Sequence, residues 1–425
     1  MNRLSSNNYF IKKIKRIFFP FYNSTEIKKL FGALEKNKDK NEKVLMFVGG
    51  CVRNFLNNEK VDDIDLATTL TPNEIIKKLK STDIKVIETG IEHGSLTLLV
   101  NESKFEITTL REDIITDGRH AKISFTNDWK LDSERRDFTI NAIYMDQKGK
   151  IFDPQSGVED LKKKIVKFIG DPEKRIKEDY LRIIRFIRFS LKYDSLILND
   201  SEINAINLNL DGIKNLSKER ILNELLKIVD ITSFGNILKN EKLKNIFSVI
   251  FPEFKYFDSL KKLKFIQNDK TLVFDNSIIL GVLLIDDTDN HEYFSHKYKV
   301  SNNLKNELNL LAKNYYKSLS DKNFFKKNLK KSIYFLGKNL MKKILIFTFL
   351  KNKKFDYPEL TKLLKEIEKI HVPKFPYSGK YLIEKGFLEG KKIGIVLSEI
   401  EKVWVENNFH LTDEKIAQII KKTKN

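Results

Sequence analysis

A single cysteine in 425 residues, Cys51, excludes an intrachain disulfide and fits a reducing compartment. Six histidines are scattered without zinc-ligand spacing. No apolar run is long enough to span a bilayer, and no internal repeat is evident. Acidic residues are in deficit, 58 against 78 Lys+Arg, for a formal net charge of +20. Such a surplus favours a polyanionic partner, nucleic acid first, although lysine richness also reflects biased genomes. Neither a membrane nor a protein partner is implied. The first 20 residues hold no acid at all; Arg3, Lys12, Lys13, Lys15 and Arg16 alternate with Phe10, Ile11, Ile14, Ile17, Phe18 and Phe19. This reads as a basic helical extension of a cytoplasmic protein. Organelle targeting is the minor alternative, since the Ser and Arg enrichment of transit peptides is weak.

The length and the 41 % hydrophobic content allow two to four domains with a sizeable core. β-branched content and alternation predict strands over residues 44–48, 64–67, 84–88, 96–100 and 105–110. Thr71-Pro72 predicts a helix start running through Lys80. Beyond Gly157 strand signals fade and apolar residues recur at helical spacing, as in Leu181, Ile184, Ile187 and Ile221, Leu225, Ile228. The expectation is an α+β fold: a leader over 1–23, a mixed-sheet head over 24–150, then all-helical segments over 151–230, 231–373 and 374–425.

The run Val61-Asp62-Asp63-Ile64-Asp65-Leu66-Ala67-Thr68 alternates apolar residues with carboxylates. On a strand, Asp63 and Asp65 would share a face and could hold Mg²⁺, an ion that prefers carboxylate and phosphate oxygens. A lone Asp-x-Asp is more often an acidic turn. Here a buried-looking strand precedes it and runs into Gly49-Gly50-Cys51-Val52-Arg53. The two glycines let backbone N–H groups approach an anion, and Arg53 adds positive charge. Glu106 could supply a third carboxylate if its strand lies beside that of Asp65; a surface Glu on an edge strand is an equally good reading. Arg135-Arg136-Asp137 could bind triphosphate and ribose, or form a salt-bridged helix start. In Glu178-Asp179-Tyr180-Leu181-Arg182, helical spacing pairs Arg182 with Glu178 and Asp179. These are surface ion pairs or, since Asp accepts where Arg donates, a reader of base edges.

These segments occur in order with Glu219-Arg220-Ile-Leu-Asn-Glu224. Together they resemble the class II tRNA nucleotidyltransferase and bacterial poly(A) polymerase family, CCA-adding enzymes most of all. The likeness covers about residues 44 to 228, with a weaker match from Gly379 to Gly394. It implies a nucleotidyltransferase head followed by helical neck, body and tRNA-binding tail. It also implies addition of C, C and A to tRNA from CTP and ATP, with pyrophosphate released, by two-metal in-line attack of the tRNA 3′-hydroxyl on the α-phosphate. By resemblance, Asp63 and Asp65 bind two Mg²⁺ ions with Glu106 as a further acid. Gly49, Gly50 and Arg53 hold the triphosphate, and Arg136 and Asp137 read the ribose, with Asn141 also among the nucleotide-binding residues. Asp179 and Arg182 template C or A, Glu178 positions them, and Glu219 and Arg220 brace the neck. The loop 113–129, with Arg119 and His120, serves the switch from C to A. Asn54 and Ser95 depart from the usual Asp and Thr.

Poly(A) polymerase is the nearest rival, but Glu92-His93-Gly94-Ser95 is closer to the CCA-adding version. CC-adding enzymes lack the switching segment, and an A-adding specialist remains an alternative. Asp286, Asp287 and Asp289 near His291 suggest an appended phosphohydrolase, yet no His-Asp pair occurs and a solvated loop is expected. A non-catalytic RNA-binding protein on the same scaffold is opposed by the intact carboxylates.

Overall fold

The computed structural model describes residues 21–36, 42–117, 120–195, 197–230, 234–266, 275–387 and 390–424. The leader therefore lies almost wholly outside the described residues. Two compact units divide at Pro252/Glu253.

Among its described residues the first unit has nine strands: β1 (Leu45–Val48), β2 (Asp65–Thr68), β3 (Lys85–Gly90), β4 (Ser95–Val100), β5 (Ser103–Thr109), β6 (Arg111–Asp117), β7 (His120–Phe125), β8 (Tyr144–Met145) and β9 (Ile151–Phe152). Ten helices accompany them: α1 (Thr25–Leu34), α2 (Gly50–Leu56), α3 (Pro72–Leu79), α4 (Trp129–Glu134), α5 (Gly157–Lys163), α6 (Pro172–Glu178), α7 (Leu181–Lys192), α8 (Asp200–Leu208), α9 (Lys218–Val229) and α10 (Glu241–Ile250). Seven strands form a mixed sheet in the order β3-β4-β5-β2-β1-β8-β9, and β6 and β7 form a separate ribbon. The α+β expectation holds. All five predicted strands and the helix at Pro72 form, the latter with a complete Thr71/Glu74 capping box.

Three expectations are corrected. Asp63 lies in a bend before β2, which starts only at Asp65, so the two carboxylates do not sit on one strand. Asp62 and Asp63 are exposed, and pairing in the ladder would do nothing for their solvated charges. Glu106 is not on an edge: β5 is flanked by β4 and β2. The 113–129 loop is largely the β6–β7 ribbon, and α4 begins at Trp129. Sequence reading also missed β8 and β9, two-residue strands too short to carry a period.

The sheet's core is aromatic. Phe47 is fully buried, with ring centroids 5.0 Å from Phe21 and 5.1 Å from Phe31. On α7 the predicted stripe of Leu181, Ile184 and Ile187 is buried, and on α9 so are Ile221, Leu225 and Ile228.

The second unit is helical throughout its described residues, from α11 (Leu263–Ile266) to α19 (Asp413–Lys424). The expected loop forms, with Asp287 and Asp289 exposed, but Asp286 itself is 6 % exposed and paired to Lys255 at 3.0 Å. Among the described residues no helix is long and apolar enough to cross a membrane.

Phe47→Ala should cost about 3–5 kcal/mol, since truncation leaves a cavity between rings that cannot collapse onto it. Urea unfolding checks this; the midpoint should fall with the slope unchanged.

Candidate active site

β1 is apolar at every position and buried, and its chain turns at Gly49, whose φ of 70° suits glycine, into α2. This places Gly49, Gly50 and Arg53 at the end of the sheet. They line a cavity of about 430 Å³ with Asp65, Arg135, Arg136, Asp137, Asn141, Asp179, Arg182, Arg185, Arg188 and Phe189. Six arginines against three aspartates give the lining a surplus of positive charge, which suits a polyphosphate.

Asp65 is the lining residue that meets further acids. β2 and β5 pair in parallel with Asp65 directly opposite Glu106. Burial raises the pKa of Asp65, the negative charges of Glu106 and Asp63 raise it further, and Arg136 and Arg53 offset this only in part. Excess negative charge is thus stored where a cation would relieve it. Among the described residues no three His, Cys, Asp or Glu side chains could enclose an ion. The donor set suits Mg²⁺ all the same, since that ion is usually held by one or two carboxylates with substrate phosphate completing its shell. Glu106 is exposed and bonded to Lys104 at 3.0 Å. Asp62 pairs with Lys60 in solvent, away from the cavity lining.

Two buried carboxylates organise the arginines. Asp132, fully buried, accepts from Tyr144 Oη at 2.7 Å, Arg135 Nε at 2.9 Å and Arg136 Nη2 at 3.0 Å. Asp137 Oδ1 accepts from Phe138 N at 2.9 Å and Asn141 Nδ2 at 2.8 Å, and Oδ2 accepts from Arg185 Nε at 2.7 Å. Asn141 Oδ1 in turn accepts from Arg53 Nη1. Burial opposes ionisation of both aspartates, but the neighbouring guanidinium groups prevail and hold each pKa at about 2. The Phe189 ring carries Arg188 at 4.3 Å and Arg53 at 4.8 Å.

The helix predicted through Glu178 and Arg182 is broken. α6 ends at Glu178, Asp179 is extended (φ −156°, ψ 104°), and α7 begins at Leu181. Asp179 Oδ1 accepts from Leu181 N at 3.1 Å, which satisfies an amide of the new helix, and Oδ2 accepts from Arg220 Nη2 at 2.7 Å. Arg220 therefore grips a cavity residue rather than only bracing a neck. Glu178 stands behind the cavity, bonded to Arg175 and, at 2.6 Å, to Arg182. Tyr180 lies over Gly212, where a Cβ would fall 2.0 Å from the ring. Glu219, in the first turn of α9, does not line the cavity. Arg119 falls outside the described residues, and of His120 only the backbone, opening β7, is described.

Asn54 donates to Lys60 O at 3.2 Å and accepts from Lys192 at 3.4 Å, a polar rather than ionic role. Ser95 keeps a hydroxyl contact, 3.0 Å from Thr108. Sequence reading passed over Asp132, Tyr144, Arg175, Gly212 and Phe189, and gave Arg185 and Arg188 no individual role. The repeated arginine on one apolar helix was the available signal for the last two; nothing local marks the others.

The family model described as the poly A polymerase head domain matches residues 45–167. The human mitochondrial CCA tRNA nucleotidyltransferase 1 is 34 % identical over 387 residues, 89 % of this chain and 87 % of that protein. Its zebrafish counterpart is 30 % identical over 90 % of this chain and 88 % of its own length. The CCA-adding enzyme of Streptococcus uberis is 29 % identical over 91 % and 94 %. Among solved structures, the Bacillus stearothermophilus CCA-adding enzyme in complex with CTP shares the fold at a TM-score of 0.71 and 20 % identity, covering 94 % of this chain and 98 % of that one.

Asp132 and Asp137 have folded pKa values near 2, below the ordinary unfolded value of about 3.9. Their stabilisation is therefore complete above that value and is lost as pH falls toward 2. Acid titration of the fold by circular dichroism should show unfolding in this window. Asp132→Asn should flatten that dependence while lowering stability at pH 7 by roughly 3–5 kcal/mol, because Arg135 and Arg136 lose a buried counter-charge.

Proposed function

Because the chain belongs to the CCA tRNA nucleotidyltransferase family, we propose that it adds C, C and A to tRNA 3′ ends from CTP and ATP without a nucleic-acid template. One observation carries the reading: a single arginine-rich cavity holds Asp65 at one edge and Asp179 with Arg182 in its lining. The first suits chemistry at phosphorus, and the second suits recognition of a base. Their convergence is what a polymerase with a protein template requires.

Asp65 and Asp63 would hold divalent metal, for which we assign two Mg²⁺ ions with Glu106 as a supporting acid; bound there, such ions ease deprotonation of the tRNA 3′-hydroxyl and offset charge at the α-phosphate. Arg53 and the backbone at Gly49 and Gly50 receive the triphosphate, whose pyrophosphate portion leaves. Arg136 is held ready by Asp132 and Tyr144. Asp137 is held by Phe138 N, Asn141 Nδ2 and both Nε and Nη2 of Arg185, and we assign it to a ribose hydroxyl, which would share its carboxylate oxygens with these donors. Asn141 couples this clamp to Arg53. Asp179 accepts from and Arg182 donates to the base edge, with Glu178 and Arg220 fixing their geometry. We assign the switch from C to A to the 113–129 segment, and tRNA binding to the helices beyond residue 373. A cytoplasmic setting is our reading of the lone thiol; the vertebrate relatives are named mitochondrial, the organellar alternative for the leader.

Purified protein with Mg²⁺ and labelled CTP or ATP should extend tRNA lacking CCA by C, C and then A, and tRNA ending in CC by A alone. Asp65→Asn or Asp63→Ala should abolish extension while gel-shift binding of tRNA persists. Long A tails on any RNA would instead identify a poly(A) polymerase, and arrest after two C residues would refute full CCA addition.

Arg182→Ala and Asp179→Ala should reduce discrimination between CTP and ATP by about tenfold or more, the worth of a lost hydrogen bond to a charged group. Competition assays on tRNA ending in C read this directly, and unchanged selectivity would remove the templating role.

A further inference from the structure

Glu202 is buried, 2 % exposed, in α8, outside the cavity lining and outside every motif already used. Its Oε1 accepts from Phe168 N at 3.2 Å, while Oε2 is buried with no partner in hydrogen-bond geometry. What it holds explains its importance. Phe168 pairs with Phe138 in an isolated antiparallel bridge, flanked by Thr139 N donating to Lys167 O at 3.1 Å and Ile169 N donating to Asp137 O at 3.2 Å. In such a non-hydrogen-bonded pair the amides of both central residues point outward and must find partners elsewhere. Phe138 N finds Asp137 Oδ1, and Phe168 N finds Glu202. The rings of the two phenylalanines also pack, 4.9 Å apart. The segment presenting Asp137 is thus clamped to residues 167–169, and that clamp is completed by a carboxylate from α8.

We propose that Glu202 is a positioning residue for nucleotide binding, which fixes the Asp137 clamp by tying α8 to Phe168. The inference rests on the reading of Asp137 as a ribose-binding group. The groups that face Glu202 are Asn199, Lys167 and Asp160. Burial pushes its carboxyl up to about 7; the Phe168 amide, Asn199 and Lys167 oppose the rise, and Asp160 adds to it.

Full-length wild type, Glu202→Gln and Glu202→Leu are compared by calorimetric CTP binding, thermal unfolding and CCA addition. Glu202→Gln keeps an acceptor for Phe168 N and should keep the CTP affinity and KM of wild type. Glu202→Leu should weaken CTP binding and raise KM about fivefold, the worth of one unsatisfied buried amide, with kcat little changed. A folded Glu202→Gln that loses CTP affinity as Glu202→Leu does would overturn the role of the Phe168 acceptor. A folded Glu202→Leu with wild-type CTP affinity would overturn the positioning role. Wild type that binds CTP but adds nothing to tRNA would fail the functional reading alone, while wild type that binds no nucleotide would fail both.

Discussion

The site depends on the carboxylate of Asp137. Two local donors, its neighbour's amide and the Asn141 side chain, meet there with a distant one, Arg185 from α7. Through Asn141 the same carboxylate reaches Arg53 on α2. A buried charge without partners costs several kcal/mol, so each donor is held as firmly as it holds. Removing Asp137 would release Asn141, Arg185 and, through Asn141, Arg53 together. Asp132 performs the equivalent service for Arg135 and Arg136.

These internal ion pairs divide the arginines into two kinds. Arg175 is spent on structure, donating to Glu178 and to the carbonyls of Arg135 and Arg136. Arg53, Arg136 and Arg182 are oriented by buried or partly buried neighbours and still line the cavity. Orientation in advance matters because a guanidinium fixed before the triphosphate arrives loses little freedom on binding. The acids are arranged in the opposite sense. Asp65 sits opposite Glu106 with incomplete compensation, a raised pKa and no bound counter-charge from the protein sufficient to quench it. The arginine surplus of the cavity and the uncompensated acid charge around Asp65 thus meet at one lining residue.

Much of this was legible in the chain. The five strands, the capped helix at Pro72 and the buried stripes of α7 and α9 follow from alternation, capping chemistry and 3.6-residue periodicity. The cavity-lining residues Gly49, Gly50, Arg53, Asp65, Arg136, Asp137, Asn141, Asp179 and Arg182 all belonged to segments whose residue types already suggested phosphate, ribose or base contacts. Where reading failed, the cause was a long-range partner. Asp63 left its strand at the end of a ladder, and the helix broke at Asp179 because that side chain caps α7 and meets Arg220. Tyr180 needed the empty space above Gly212, 32 residues away in sequence, to occupy its place.

By itself the sequence determined the α+β class, the order of elements and the chemical types present, because propensity, periodicity and charge act over a few neighbouring residues. Only the tertiary structure decided that Glu106 stands beside Asp65, that Arg220 grips Asp179, that Asp132, unremarkable in the chain, holds Arg136, and that Glu202 meets the Phe168 amide. Those choices rest on parallel strand pairing and on buried donors finding acceptors across tens of residues. No local pattern encodes them, since the free energy that selects them exists only once the core has excluded water.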